Sequence, residues 1–403
     1  MDRGSIFELA GNRRQALLLM PSESEVTRRG WMTLAGAAGS IALTGAISAE
    51  ARPAEAVPGP AEKIRIGVIS AGIRGAPQKT NGHTWHFTNG FHPTMNLEVV
   101  KKYLFPGAKD LFEKQLRNPQ WNFDLLPFAD TRIAQVYDAD PASAAMFAEA
   151  FEGVRVARSL EEMVKEVDAV WLGDASGFGE DHFDLVAPGL ARGLPTFCDK
   201  PIGGSVAGTK KILDFASEHN APLMSSSLFR HQWGTEQALR MKASGEFGSL
   251  QYIVASQGGG WSMDRWAVYG QHPTWMVMTL CGPGVEAVSL YARENVCHAL
   301  VTYADRMPAE IWCGRPDIAQ FYCSTSAHFE KKTYEWTPAI EGNYWLGHAY
   351  QIFRMANTFR QMVHTRQEPV PHKEILEVTA IIHAGNKSLQ EKSRLVPLVE
   401  VMG

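Results

Sequence analysis

From Lys63 onward, apolar and polar residues follow two alternating patterns. Short apolar runs rich in β-branched and aromatic residues predict strands, and the stretches between them have the period of amphipathic helices. The predicted strands are residues 63–71, 132–139, 167–175, 194–202 and 221–227, and the predicted helices are 141–151, 159–166, 183–192 and 206–220. Strands that alternate with helices indicate right-handed βαβ units. We therefore predict a doubly wound parallel sheet in an α/β domain over residues 62–226.

The pattern changes after a predicted helix at 232–248. Strand-like runs now follow one another directly, at 249–257, 285–291, 297–304, 309–314, 318–326 and 331–337, and helices are predicted at 347–364 and 374–391. Consecutive strands joined by short connections favour a largely antiparallel open sheet, closed here by the two last helices. We predict an α+β domain over residues 227–403 that binds substrate and contributes the surface of a homo-oligomer.

The first 56 residues differ from the rest of the chain. Arg28 and Arg29 precede a mildly apolar stretch of small residues, and Ala49 and Ala51 form an Ala-x-Ala pattern. This segment is similar to a twin-arginine export signal, which predicts a periplasmic or otherwise exported protein. An uncleaved membrane anchor is the alternative, although the many Ala, Gly, Ser and Thr residues insert weakly into a bilayer. We expect no stable membrane span in the mature chain.

Composition and charge narrow the kinds of partner. The chain is 45% apolar and 20% charged, with a formal net charge of -4, so neither a nucleic acid nor a membrane surface is indicated. We expect a small-molecule partner. The five cysteines form no C-x-x-C pair, which argues against both a disulfide framework and a zinc site; they are Cys198, Cys281, Cys297, Cys313 and Cys323.

The turn after the first predicted strand reads SAGIRG, residues 70–75. Compared with the dinucleotide-binding pattern G-x-G-x-x-G of Rossmann folds, Ser70 replaces the first glycine, and Gly72 and Gly75 keep the other two. Gly72 would let the backbone approach a pyrophosphate, and a helix N-terminus would follow. The predicted cofactor-binding turn also includes Ile73 and Arg74.

Asp138 ends the second predicted strand. An acid at this position accepts hydrogen bonds from the adenosine ribose and repels a 2'-phosphate, which favours NAD over NADP. The alternative is a helix N-cap, a role open to both Asp138 and Asp140. Asp138 lies 63 positions after Gly75, far more than the usual spacing of about 20. We therefore predict an insertion at about 76–131.

Three histidines lie in this insertion, at His83, His86 and His92. No carboxylate or cysteine joins them at the usual ligand spacing, so we predict no metal, although His83 and His86 share a helical face. An alternative is an active-site wall that brings Trp85 and His86 near the substrate. Ordinary packing is the third possibility.

A lysine stands at the end of a predicted buried strand in PTFCDKPIGG, residues 195–204. Ligands of doubly wound sheets bind beyond the carboxyl ends of the strands, where Lys200 lies. Partial desolvation there lowers the pKa of an amine towards the range useful for acid–base catalysis. Asp174 and Asp199 complete the predicted cofactor-binding edge. A solvated surface lysine, or one in an ion pair, is the alternative for Lys200.

These motifs resemble the glucose-fructose oxidoreductase, inositol dehydrogenase and rhizopine catabolism (Gfo/Idh/MocA) family over about residues 62–400. The segments that carry the resemblance are IGVISAGIRG, VYDADP, GEDHFDLVAPGLARGLPTFCDKPIGG, YGQHPTWMVMTLCGPG and the closing EPVPHKEILEVTAIIHAGNKSLQEKSRLVPL. Asp-Lys-Pro stands where that family has Glu-Lys-Pro, which implies that Lys200 is catalytic. The resemblance also implies roles for His182 near the cofactor and His272 in the active site.

One departure from the family lies four residues before that histidine. The family often has an aspartate there, and this chain has Val268. Tyr269 and His272 then remain as polar candidates beside Lys200. Trp261, Trp266 and Trp275 are candidates for stacking on a sugar face, with core packing as the alternative; Trp266 and Trp275, with His86, form our predicted substrate set.

The predicted function is NAD-dependent oxidation of a secondary hydroxyl group of a sugar, cyclitol or sugar derivative, with a tightly bound cofactor that is recycled in place. Two alternatives stay open. One is an NAD-dependent glycosidase or lyase that oxidises, eliminates and re-reduces its substrate without net NADH formation. The other is a non-catalytic sugar-binding relative, suggested by Ser70 and Val268.

Overall fold

The computed structural model of the protein describes residues 63–70, 72–73, 76–77, 83–103, 126–174, 178–258, 263–294, 296–314, 324–337 and 344–403. All of them belong to one compact unit, Pro60–Gly403. The predicted export signal, Arg74, Gly75, Trp261 and Cys323 lie outside the described residues.

Fifteen strands are described. They are β1 Ile64–Ile69, β2 Gly72–Ile73, β3 Ala76–Pro77, β4 Thr131–Tyr137, β5 Arg155–Val156, β6 Ala169–Leu172, β7 Thr196–Cys198, β8 Leu223–Met224, β9 Leu250–Gly258, β10 Val285–Arg293, β11 Val296–Tyr303, β12 Ala309–Gly314, β13 Thr325–Phe329, β14 Thr333–Trp336 and β15 Val396–Pro397.

Twelve α-helices are described, with short 3₁₀ turns at Asn89–Phe91 and Leu228–His231. The α-helices are α1 His83–Thr88, α2 Leu97–Tyr103, α3 Pro141–Ala150, α4 Leu160–Met163, α5 His182–Leu190, α6 Val206–Glu218, α7 Trp233–Ser244, α8 Met263–Tyr269, α9 Gln271–Cys281, α10 Tyr344–Thr365, α11 His372–Gln390 and α12 Val399–Met402.

The first sheet is parallel and has the strand order β5-β4-β1-β6-β7-β8. The chain runs outward from β1 in one direction through β4 and β5, and in the other through β6, β7 and β8. The order therefore reverses between β1 and β6, which is the position where Rossmann folds bind dinucleotides. The predicted fold class, a Rossmann-type doubly wound sheet followed by an α+β domain, is confirmed.

The register of this sheet brings the predicted site residues to one edge. Ile69 of β1 pairs with Tyr137 of β4 and with Leu172 of β6, and Leu172 pairs in turn with Cys198 of β7. The residues that follow these four strand ends share the carboxyl edge; they are Ser70, Asp138, Gly173, Asp174, Asp199 and Lys200.

An aromatic core lies on one face of this sheet. The indole of Trp171 stacks on Phe197 with ring centroids 3.9 Å apart, and Phe359 of α10 meets the same indole edge-on at 5.1 Å. Phe359 also contacts Phe91 at 5.7 Å. Helix α10 thus packs on the first sheet, whereas the sequence pattern predicted that it closes the second.

The segment after β1 forms a short hairpin of β2 and β3 before α1 begins at His83. Helix α1 is buried along its length and contacts the residues that follow β1 and β6. The Thr84 hydroxyl donates to the carbonyl of Ser70, at 2.5 Å, and contacts that of Gly173 at 3.0 Å. Gly173 is required there, because a Cβ atom on it would lie 2.7 Å from the Thr84 backbone.

The second sheet has the order β14-β13-β9-β12-β11-β10-β15, and of its six pairs only β12 with β9 is parallel. Helix α11 packs on this sheet, where Glu377 accepts hydrogen bonds from the backbone N–H groups of Gly284 and Val285. Helices α8 and α9 were not predicted from the sequence. They carry Tyr269 and His272.

Four of the cysteines lie among the described residues, and none of the four forms a disulfide bond. Cys198, Cys297 and Cys313 are buried, Cys281 is half-buried, and all four are free thiols. Within the same residues, no helix combines the length and the apolar character needed to cross a membrane.

Candidate active site

The lysine predicted to be catalytic lies at the carboxyl end of β7. The Asp199 N–H donates to Leu172 O at 3.1 Å, which extends the strand pairing by one residue. The Lys200 N–H then donates to Oδ1 of Asp199 at 2.7 Å, and a cis peptide bond leads to Pro201. Asp199 and Lys200 are only 1% and 3% exposed, so this is not a surface lysine.

Burial governs the charge of this lysine. Removal from water disfavours the ammonium form and lowers the pKa of Lys200, while the neighbouring Asp199 carboxylate raises it. The lowering is the larger effect. The amine therefore reaches its neutral, proton-accepting form at a lower pH than a solvated lysine does.

The His83 imidazole contacts the other oxygen of the Asp199 carboxylate. Its Nδ1 lies 2.6 Å from Asp199 Oδ2, and both side chains are buried. Asp199 thus contacts the backbone of Lys200 through one oxygen and the imidazole through the other. His83, which lies in the predicted insertion, therefore contacts the Asp-Lys-Pro motif. The spacing of residues along the chain did not predict this contact.

Tyr269 lies between the two other predicted catalytic groups. Its ring centroid is 5.8 Å from Lys200 Nζ and 6.1 Å from the ring centroid of His272. The structure therefore brings Lys200, Tyr269 and His272 together, although they come from β7, α8 and α9.

His272 is positioned by residues that follow β8. Its Nδ1 lies 2.5 Å from Oγ of Ser227, and its ring meets Phe229 edge-on at 4.6 Å. The Ser227 hydroxyl also accepts the Phe229 N–H at 3.0 Å. Val268 stands where the family often has an aspartate. It lies in α8, four residues before His272, which is in α9. A hydroxyl group therefore orients the histidine in this chain.

The residues at the β1 end fit a dinucleotide. Ser70 has φ of 69°, a left-handed conformation that glycine adopts more readily than serine, and its N–H donates to Tyr137 O. Gly72 and Ile73 lie in the β2–β3 hairpin. The predicted helix N-terminus is displaced to His83, because this hairpin separates the turn from α1.

The two acids after β4 have different roles. Asp140 is the N-cap of α3, where its side chain accepts the N–H groups of Ala142 and Ser143. Asp138 Oδ1 accepts the Asp140 N–H at 2.8 Å and does not cap the helix. Asp138 lies directly beyond the strand end, and its predicted ribose role stays a prediction.

His182 begins α5 and is fully buried. Its Nδ1 lies 3.6 Å from the Cys198 sulfur, and Nε2 has no partner within the described residues. One donor atom each from Asp174, Asp181 and His182 lies within 4.8 Å of the others. These three donors are one fewer than the four ligands of a closed zinc site. Burial raises the pKa of the Cys198 thiol, so it stays protonated.

The remaining predicted residues lie in the interior. Trp266 and Trp275 are each 1% exposed, and the Trp266 indole N–H donates to Ile382 O at 3.0 Å. These positions correspond to the core-packing alternative. His86 is buried in α1, and the nearby Trp85 packs against Phe147. His92 contacts Glu152 O, so His83 and His92 face different partners.

Sequence reasoning missed Ser227, Thr84 and the role of His83. Ser227 had a usable signal, because it ends the last predicted parallel strand and so reaches the carboxyl edge. No signal in the sequence pointed to the roles of Thr84 and His83. Their partners are 89 or more positions away in the chain, apart from Ser70.

The nucleotide-binding region matches a known family. Residues 112–227, a little more than a quarter of the chain, match the GFO_IDH_MocA model, described as "Oxidoreductase family, NAD-binding Rossmann fold". This segment is similar to the Gfo/Idh/MocA family. The match supports the predicted NAD-binding Rossmann fold and the predicted cofactor.

Two curated relatives match parts of the chain. An uncharacterized oxidoreductase of Streptococcus pneumoniae serotype 4 is 30% identical over 129 residues, which are 32% of this chain and 34% of the relative. The rhizopine catabolism protein MocA of Rhizobium meliloti is 33% identical over 87 residues, 21% of this chain and 26% of its own length. The chain thus matches only about a third or less of these relatives.

Solved structures share the fold over most of the chain. The myo-inositol dehydrogenase of Lactobacillus casei, in complex with NAD(H) and myo-inositol, aligns with a TM-score of 0.62 at 14% identity, over 83% of this chain and 96% of its own. The apo scyllo-inositol dehydrogenase of the same organism aligns with a TM-score of 0.61 at 14% identity, over 84% and 99%. At this identity the similarity establishes the fold.

Proposed function

We propose that this protein is an NAD-dependent oxidoreductase that acts on a secondary hydroxyl group of a sugar, cyclitol or sugar derivative. The observation that carries the proposal is the buried Lys200 amine, at the carboxyl end of β7 and 5.8 Å from the Tyr269 ring. A buried lysine with a lowered pKa beside the switch point of a Rossmann sheet is suited to acid–base catalysis next to a dinucleotide.

The chain's own residues supply binding and proton transfer. Bound NAD+ would supply the hydride acceptor for the carbon that carries the hydroxyl group. Neutral Lys200 takes the hydroxyl proton as the carbonyl forms, and in the reverse direction the ammonium returns it. His272, held at Nδ1 by Ser227, orients the substrate oxygen. Asp138 and the turn at Ser70 would hold the adenosine ribose and the pyrophosphate.

The substrate class is supported by two kinds of observation. One solved structure of the same fold holds NAD(H) and myo-inositol. In this chain, Lys200 lies beside the Tyr269 phenol, which in turn lies beside the His272 imidazole, and both groups exchange hydrogen bonds with hydroxyl groups without requiring a charge on the substrate. We therefore propose a polyol or sugar.

Lys200→Ala tests the proposal. Wild-type protein is incubated with NAD and myo-inositol, scyllo-inositol or glucose, and NADH and the carbonyl product are measured. We expect the variant to lose at least about a hundredfold in turnover and to retain NAD binding. The control is Lys210→Ala, which removes an exposed lysine paired with Asp214. Near-normal turnover of Lys200→Ala contradicts the assignment, and release of a leaving group without NADH indicates the redox-neutral alternative.

We also propose that the protein is exported by the twin-arginine route with its cofactor bound. A folded protein leaves the compartment that supplies NAD, so a freely dissociating coenzyme would be lost and not replaced. Protein purified without added coenzyme should contain stoichiometric NAD(H) that survives dialysis. An empty site, or strict dependence on added NAD, contradicts retention. Replacement of both Arg28 and Arg29 by lysine should block export, so undiminished activity of that double variant in the exported fraction contradicts the route.

Self-association is proposed through the outward face of the second sheet. On this face Glu310 accepts hydrogen bonds from Tyr252 and from the Trp312 indole, and the His298 and Trp312 rings lie 4.3 Å apart. Half-buried aromatic groups on an open sheet suit a symmetric interface. Sedimentation should show an oligomer that Trp312→Glu dissociates; a monomeric wild type contradicts this proposal.

A further inference from the structure

A cleft with polar and apolar walls lies beside the loop that carries Lys200, on the side of helix α11. Its volume is about 240 Å³. The walls come from the loop before α5, the loop after Lys200, helices α8 and α9, and α11. The lining residues that matter here are Glu180, Pro201, Gln271, Thr379, His383 and Asn386. Pro201 directly follows Lys200, and Gln271 directly precedes His272, so the cleft adjoins the proposed active site.

One group in this lining lacks the partner that its burial demands. The Asn386 side-chain carbonyl is buried and accepts no hydrogen bond within the described residues. Such an orphaned acceptor costs about 1–3 kcal/mol unless a ligand or an ordered water donates to it. Gln271 supplies a second amide to the same cleft, and it is only 4% exposed.

The charges of the lining restrict what can bind. No lysine or arginine lines the cleft among the described residues, and Glu180 brings a carboxylate to its rim. The Glu180 carboxylate is held by the Phe178 N–H at 3.0 Å. Burial lowers the pKa of His383, which keeps that imidazole neutral near neutral pH. A phosphate or carboxylate ligand would find repulsion there and no cation.

The remaining surface of the cleft is apolar and its size is limited. Phe178, Ala267 and Ile382 contribute carbon atoms that can pack against the C–H face of a ring. A volume of about 240 Å³ lies just below the usual range of about 300–1,000 Å³ for ligand pockets. The cleft therefore suits one ring and not a long chain of sugars.

We infer that this cleft is a binding subsite for an uncharged, polyhydroxylated ring, in which Asn386 and Gln271 exchange hydrogen bonds with hydroxyl groups. The inference rests on the proposed function and extends it, since it places specificity for a neutral ligand on α11 and on the start of α9. The subsite is separate from the reacting position, because Lys200 and His272 do not line it among the described residues.

The test is calorimetric titration of the full chain with myo-inositol, up to about 50 mM, a range that detects weak binding. Asn386→Leu and Gln271→Leu remove the amide groups at similar side-chain volume. Gln390→Leu is the matched control, because Gln390 is an exposed amide on the same helix, four residues beyond Asn386. Circular dichroism and thermal unfolding establish that each variant folds, and Asn386→Ala replaces Asn386→Leu if the latter does not.

We expect each cleft variant to weaken myo-inositol binding about tenfold, the effect of one lost hydrogen bond, and the control to bind as wild type does. Unchanged binding in both cleft variants overturns the inference, and so does binding that only Lys200→Ala removes. Absence of myo-inositol binding also overturns it, since water alone would then satisfy Asn386.

A separate NAD titration distinguishes this inference from the proposed function. NAD binding without myo-inositol binding contradicts the subsite and leaves the cofactor assignment intact. Polyol binding that depends on Asn386, in a protein that does not bind NAD, supports the subsite and contradicts the oxidoreductase.

Discussion

The Nδ1 atom of His83 lies 2.6 Å from Oδ2 of Asp199, although 116 positions separate the two residues. The other oxygen of Asp199 accepts the N–H of Lys200 at 2.7 Å. Helix α1, which follows the hairpin after β1, is thereby tied to the loop that carries the lysine. Because both side chains are buried, the contact is protected from competing water.

We predict that His83→Phe lowers turnover by up to about a hundredfold, since a lysine displaced by even 1 Å loses its alignment with substrate. His83→Asn retains a side-chain donor and should recover much of that loss. The two variants are compared by kcat and KM, with NAD binding as a test of folding. Equal losses of kcat in the two His83 variants, or a change confined to KM, would show that His83 does not act through Asp199. His372→Asn, on α11, is the control.

Lys200→Met should stabilise the protein at neutral pH while it abolishes turnover. The pKa of Lys200 is lower in the folded protein than its ordinary value of about 10.5. The unfolded chain therefore binds more protons between these two values, and wild-type stability rises with pH through that window. Below the window, the wild type bears the full cost of the buried charge, and the variant does not.

This prediction is measured by urea unfolding of both proteins from pH 7 to pH 10.5. The stability difference should be largest at pH 7 and should shrink as pH rises. Lys210→Met, at an exposed position, should show no such trend. A difference that does not depend on pH would mean that Lys200 is not desolvated in the folded protein.

Asp138→Ser should narrow the preference for NAD over NADP, because it removes both the ribose acceptor and the charge that repels a 2'-phosphate. Asp140→Ser is a matched control two residues away, since serine also caps helices and Asp140 caps α3. The two dissociation constants are measured for each protein. Tighter binding of NADP by the wild type would contradict the ribose role of Asp138.

Glu236→Gln should destabilise the protein at pH 7 but not in acid. Burial opposes ionisation of Glu236, yet contacts with His231, Arg354 and Tyr350 lower its pKa to about 2. The ionised carboxylate therefore stabilises the fold above its ordinary pKa of 4.5, and this contribution is lost as pH falls towards 2. The shift corresponds to at most about 3 kcal/mol.

Urea unfolding at pH 7 and at successively lower pH tests this expectation, with the exposed Glu246→Gln as control. The difference in unfolding free energy between wild type and Glu236→Gln should shrink as the pH falls. A gap of constant size would assign the loss to packing of α7 against α10 instead of to charge.

The period of apolar residues by itself determined the two architectures. Buried parallel strands read as continuous apolar runs, and antiparallel strands follow one another with short connections, so both sheets were predictable from local pattern. The same pattern located Asp138, Asp199 and Lys200, because residues that follow parallel strands must share one edge. Helix α9 was missed because nearly all of its residues are buried, Trp275, Met276 and Met278 among them, so it shows no clear polar face.

Only the tertiary structure decided which side chains meet at that edge. His83 with Asp199, Ser227 with His272, and Asn386 beside Gln271 are each brought together by the packing of elements far apart in the chain. Sequence spacing predicts contacts within a helix or along a strand, where geometry is set by a few residues. Contacts between elements depend on how whole faces pack, so the partners of these residues appear only when the chain is folded.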